Sequence, residues 1–183
     1  MSGESMPREG AGGRVYSAEI IRKYSAQGSY AEAFAATDAW IDESTALLFG
    51  MIFSQVSPSI IARRLIQSGK SGISMSMLYS ARDFIEESPL FSENKDFQKN
   101  FKKAVRSVEA FKSWRNLVVH NYGYRKLAIL RQHKEAAGHR PHLASEKKFN
   151  EESERILNLH LNAGMACVKS LQDLYKEAAK MQK

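Results

Sequence analysis

Residues 92–120 read SENKDFQKNFKKAVRSVEAFKSWRNLVVH. Phe97, Phe101, Val105, Val108, Phe111 and Val118 recur at intervals of three, four and seven, the period of a helix with one apolar face. Polar residues, Lys, Arg and Ser foremost, take most of the positions between them, and neither Gly nor Pro interrupts the pattern. The stretch predicts one long helix that begins near Ser92, a suitable cap, and runs to about His120.

The other long segments carry the same period. Residues 17–26 predict a short helix ended by Gln27-Gly28. Residues 29–56 predict a longer one with Tyr30, Phe34, Ile41, Leu48 and Ile52 on its apolar side, Asp38, Asp42 and Glu43 on its polar side, and Gly50 at an expected close helix crossing. Ser57-Pro58 has the form of an N-cap followed by Pro at the first helical position, opening a short helix through Ile60, Ile61 and Leu65 that Gly69 and Gly72 stop. Residues 74–87, with Met75, Leu78 and Phe84, make another, closed by Ser88-Pro89. After Gly123, residues 124–134 read as a further turn or two of helix, and residues 136–145 as a loop. Residues 146–181 form the last predicted helix, with Phe149, Ile156, Leu159, Met165, Val168, Leu171 and Leu174 on one side. These lengths and connections imply an all-α fold, an antiparallel bundle of long helices.

A chain of 183 residues suits one domain, expected over residues 15–183. Residues 1–14, rich in Gly, Ser and Glu and without apolar periodicity, are expected to be a disordered tail. No apolar run approaches the roughly 20 residues of a membrane span, and the first residues lack the basic-then-apolar layout of a secretory signal, so the expected location is the cytoplasm, away from membranes. The single cysteine, Cys167, can form no internal disulfide and lies among Ala163, Met165 and Val168, which assigns it to core packing.

The net charge is +7, and it is unevenly placed. Residues 95–140 hold twelve Lys and Arg against Asp96, Glu109 and Glu135, a local charge of +9 that leaves −2 for the rest of the chain. Such concentration suits a polyanion such as RNA, and equally suits a solvated helix face. Lys102, Lys103, Arg125 and Lys126 are the candidate RNA contacts.

Residues 114–126 read WRNLVVHNYGYRK. On a helix Asn116 and His120 are four apart and share a face, whereas Arg115 and His120 lie about 140° apart around the axis. That divergence predicts that one helix alone does not converge the two tightly, and that a cleft shared with a partner helix can. Their chemistry suits cleavage of an RNA backbone, in which a 2′-hydroxyl loses a proton and the phosphate gains charge. A neutral imidazole can take the proton near pH 7, and a guanidinium fork can hold the phosphate oxygens, without a metal or other cofactor. No HExxH spacing or Cys and His cluster offers a metal site.

At Arg115, Asn116 and His120 the sequence resembles the HEPN family, whose mark is Arg, a polar residue, and His after three more positions. The resemblance implies an all-α domain that forms a homodimer, lines one cleft with two such motifs and cleaves RNA without metal. Tyr122 extends it. Arg, four residues, His, one residue and Tyr is the form found in HEPN toxins encoded beside a nucleotidyltransferase antitoxin, which attaches AMP to the tyrosine. This chain is longer than such toxins, by its tail and the 136–145 loop.

Other constellations have plainer readings. His133, His139 and His142 sit close together, yet no Cys stands beside them, so they are expected on a basic RNA-contacting or plain surface loop. Gly69-Lys70-Ser71 echoes the end of a phosphate-binding loop, but Arg64 stands where the first Gly is needed and no strand precedes it. Asp38, Asp42 and Glu43 fit a solvated face, or one of them orients Arg115 or His120 across the bundle. Trp114 reads as core, while Tyr122 and Tyr124 fit either capping the bundle or stacking on a base. The functional expectation is an endoribonuclease of toxin or defence type with Arg115, Asn116 and His120 as its site; the alternative is a helical RNA-binding or partner-binding module without activity.

Overall fold

The computed structural model describes residues 17–54, 56–57, 60–61, 73–120 and 146–182. Within them lie six helices and no strand: α1 (Ala18–Ala26), α2 (Tyr30–Ile52), α3 (Ile73–Glu87), the single turn α4 (Pro89–Ser92), α5 (Lys95–His120) and α6 (Glu146–Met181). The fold is all-α.

Capping contacts explain several helix ends. Ser17 caps α1 by accepting the backbone N–H of Ile20 at 3.3 Å. At its other end Gly28 takes φ +72°, a value that favours glycine, and the N–H groups of Gly28 and Ser29 return to the carbonyls of Ser25 and Tyr24. The cap of α5 differs from the expected one. Asn94 accepts the N–H of Phe97 at 2.9 Å, because Ser92 is already used in the turn that Pro89 starts. α2 stops at Ile52, short of Val56, where Gln182 donates its side-chain amide to the Met51 carbonyl at 2.7 Å and accepts from Ser54 at 2.8 Å. Ile60 and Ile61 are helical, their N–H groups donating to Ser57; the rest of that predicted helix lies outside the described residues.

Paired contacts give the helix directions. Tyr30 bonds Asn158 near the start of α2, and Met51 bonds Gln182 near its end, so α2 and α6 run the same way. Ser74 on Asp42 and Phe84 on Phe53 align α3 with α2 as well. α5 runs against all of them, with Lys102 on Glu86 of α3 and Trp114 on His160 of α6. The antiparallel expectation therefore describes α5 with its neighbours, while α2 lies parallel to α3 and α6.

One core gathers the apolar faces of α1 through α6. Phe34, Phe91, Phe97 and Phe101 are fully buried, and Phe34 stacks on Phe111 with ring centroids 5.5 Å apart. Leu159 departs from expectation. It is exposed, and Leu157 and Leu161 face inward instead, since the buried stripe of α6 passes to either side of it. Cys167 is buried, as its apolar neighbours imply. The expected close crossing at Gly50 does not occur: a Cβ there would have no atom within 4 Å. The tight crossing is at Gly164 of α6, against Phe111 of α5 and Thr37 of α2. No helix among the described residues is long and apolar enough to cross a membrane.

Candidate functional site

The final turns of α5 carry the motif. Val118 is buried against the core, so the helix is fixed in rotation and its polar residues are turned outward. Asn116 and His120 are exposed, and Arg115 is half-buried beside α2. Arg115 Nη1 donates to Asn116 Oδ1 at 3.1 Å and lies 3.4 Å from His120 Nε2. The predicted divergence of Arg115 and His120 is thus bridged within one chain. The angle of about 140° applies to the helix positions, whereas the long arginine stem reaches over the roughly 7.5 Å of rise between them.

A guanidinium has donors only, so the approach is favourable when Nε2 presents its lone pair.

Behind the motif stands a cluster that the charges of α5 and α2 build together. Asp38, nearly buried, shares its carboxylate between two cations: Lys112 Nζ lies 2.7 Å from Oδ1, and Arg115 Nε lies 3.0 Å from Oδ2. The second contact is close enough for strong attraction, but its N–H direction misses the alignment of a hydrogen bond, so its character is Coulombic. Lys112 also reaches Asp42 Oδ1 at 2.8 Å, and Ser74 Oγ donates to the same oxygen. Burial alone would lower the Lys112 pKa; its hydrogen bonds to Asp38 and Asp42 outweigh that and raise it, so the ammonium stays charged.

Of the acidic trio, then, Asp38 holds the motif arginine and Asp42 supports its partner, while Glu43 is exposed and takes the solvated role. Lys112 and Ser74 were not singled out by the sequence. Their signal was weak: Asp38 and Asp42 are four apart, Lys112 and Arg115 three apart, and two such pairs are complementary only if their helices pack.

Trp114 is half-buried and stacks on His160 of α6, with centroids 3.6 Å apart and planes 19° apart, in keeping with a core role. Lys102 and Lys103 are exposed. Lys102 pairs with Glu86 at 2.8 Å and borders a cleft between α3 and α5 lined also by Tyr79, Arg82, Arg106 and Glu109. Its hydrogen bond holds the Glu86 carboxyl below the usual range, against a smaller opposing effect of burial. Tyr122, Arg125, Lys126, His133, His139, His142 and Gly69-Lys70-Ser71 lie outside the described residues, as do the 1–14 tail, the 124–134 helix and the 136–145 loop. No group of three or more His, Cys, Asp or Glu side chains among the described residues is placed to hold a metal ion. Comparison with family models, with curated proteins and with solved structures finds no match for this chain.

Proposed function

We propose that this chain is an endoribonuclease that cleaves RNA through Arg115 and His120 without a metal. The observation that carries the reading is the 3.4 Å approach of Arg115 Nη1 to His120 Nε2 on an exposed helix end, with Asn116 on the same guanidinium. In the proposed reaction the 2′-oxygen forms a bond to phosphorus and the P–O5′ bond breaks. His120 takes the 2′-hydroxyl proton as base or supplies the proton for the 5′-oxygen as acid, water carries the other of these two protons, and Arg115 binds the phosphate as its charge grows. Asn116 positions Arg115. A phosphate entering the site would replace the Arg115 contact to His120, a long one that costs little to give up.

The resemblance to HEPN ribonucleases extends the proposal to a homodimer of toxin or defence type, with Tyr122 as the residue that a nucleotidyltransferase antitoxin would modify. Because Arg115 and His120 already meet in one chain, the dimer is supported by that resemblance and not by their spacing.

The test is direct. The full chain, incubated with RNA in EDTA, should cut it, and His120→Ala should lower the rate by about 10²–10⁴, the usual worth of a general acid or base. Equal cleavage by His120→Ala rejects the reading. RNA that is bound by both forms and cut by neither assigns the chain to the inactive binding module.

A further inference from the structure

A carboxylate taken out of water is costly unless charged partners surround it. Asp38 is such a group, and its partners are divided with some regularity. One oxygen faces Lys112 and the other faces Arg115 Nε, on cations one helical turn apart. Asp42 takes another side of the Lys112 ammonium. Two carboxylates and two cations leave the cluster neutral, so nothing in its charge balance calls for a further ion. The arrangement sorts the nitrogens of Arg115. Nε faces the buried carboxylate, while Nη1 faces the exposed Asn116 and His120. An incoming phosphate can displace the outer contacts and leaves the inner one in place.

We propose that Asp38 is a positioning residue that fixes the Arg115 guanidinium for phosphate, and that Lys112 is the counter-cation that holds Asp38 where it can do so. The inference rests on the nuclease reading of Arg115 and His120. Asp38 touches no substrate in it and acts through Arg115 alone. A free arginine stem has many rotamers, and fixing it before substrate arrives removes an ordering cost from the chemical step.

The experiment compares the full chain with Asp38→Asn, which keeps the shape of the side chain and removes its charge, and with Asp42→Asn, which removes the same charge from the same cluster without touching Arg115. Cleavage of one defined RNA in EDTA should show kcat about 10–100-fold lower for Asp38→Asn with KM changed less than about threefold. Asp42→Asn, which reaches Arg115 only through Lys112 and Asp38, should lower kcat clearly less than Asp38→Asn does, even where both variants melt at lower temperature. In nitrogen-15 spectra the Arg115 Nε–Hε signal, identified by its loss in Arg115→Lys, should move in Asp38→Asn and stay in Asp42→Asn. Equal kcat losses in the two variants, or an Nε–Hε signal indifferent to Asp38, overturn the proposal. If the unaltered chain cuts no RNA, the nuclease reading fails by itself. The spectra then decide whether Asp38 fixes Arg115: a signal that moves only with Asp38 upholds that relation, and an unmoved one rejects it.

Discussion

Gly164 of α6 sits so close to Phe111 of α5 that a Cβ built on it would stand 2.6 Å from Phe111 Cδ2 and 2.8 Å from Thr37 Cγ2 of α2. Three helices meet there, and Phe111 cannot easily swing aside because its other face stacks on Phe34. Gly164→Ala should therefore destabilise the fold by about 1–3 kcal/mol through overpacking. Gly50→Ala should do the reverse, gaining about 0.5–1 kcal/mol, since its Cβ meets no atom and alanine favours the helix. Urea unfolding midpoints measured on both variants check the pair of signs. Phe111 directly precedes Lys112 in α5, so the same overpacking should also lower cleavage by displacing the cluster around Asp38.

Asn116 contributes one exposed hydrogen bond to Arg115, at 3.1 Å. Such a bond is worth roughly 0.5–1.5 kcal/mol, so Asn116→Ala should reduce kcat by about 2–10-fold, far less than the loss of His120. Steady-state cleavage rates distinguish the two. A loss as large as that of His120→Ala would mean that Asn116 contacts the reacting atoms itself.

The apolar period of α5 was readable because its face extends over about six turns, and Phe97, Phe101, Val105, Val108, Phe111 and Val118 are all buried as that period requires. Arg115, Asn116 and His120 were readable as a motif because they are neighbours in sequence. Asp38 was only one acid among three, since its meaning depends on which helix packs against α2, and side-chain periodicity does not encode that pairing. The cap at Gln182 failed to show for the same reason: its partner, Met51, is 131 residues away. Gly50 misled because a glycine in a helix has two readings, and the local sequence does not separate an open surface from a crossing.

Cys167 supplies a pH dependence. Burial pushes its thiol from 9.0 up to about 11, so between these values the unfolded chain loses a proton that the folded chain keeps. Folding stability should fall as pH rises through that window, by on the order of 2 kcal/mol, and Cys167→Ala should flatten the slope there even if its midpoint is lower overall. Lys112 adds a second alkaline loss with the same sign. Its folded pKa is raised, so its contribution is fully present below the usual lysine value of 10.5 and disappears above it as the folded-state ammonium titrates. Urea titrations from pH 8 to pH 11 on the unaltered chain and Cys167→Ala separate the two. A thiol-reactive dye should label Cys167 slowly at pH 8 and quickly once urea unfolds the chain.

Lys102 and His120 are 18 residues apart on α5, five whole turns, which places them on one face about 27 Å apart along the axis. Arg106, Ser113 and Asn116 lie near the line between them and are exposed, so on the proposed nuclease reading an RNA backbone crossing the motif would have a route toward the cleft beside α3. Glu86 opposes this, because its carboxylate holds the Lys102 ammonium at 2.8 Å and competes with phosphate. The pair is surface-exposed, so breaking it should change stability by no more than about 1 kcal/mol. Two charge changes should then move RNA affinity in opposite directions. Reversing Lys102 and Lys103 to Glu should weaken binding and reduce the salt slope by up to about two counterions, with the fold intact. Glu86→Gln should release Lys102, tighten binding and steepen the slope. Fluorescence anisotropy with a labelled RNA across a salt series gives both slopes. If neither variant alters the slope, the basic face of α5 serves solvent.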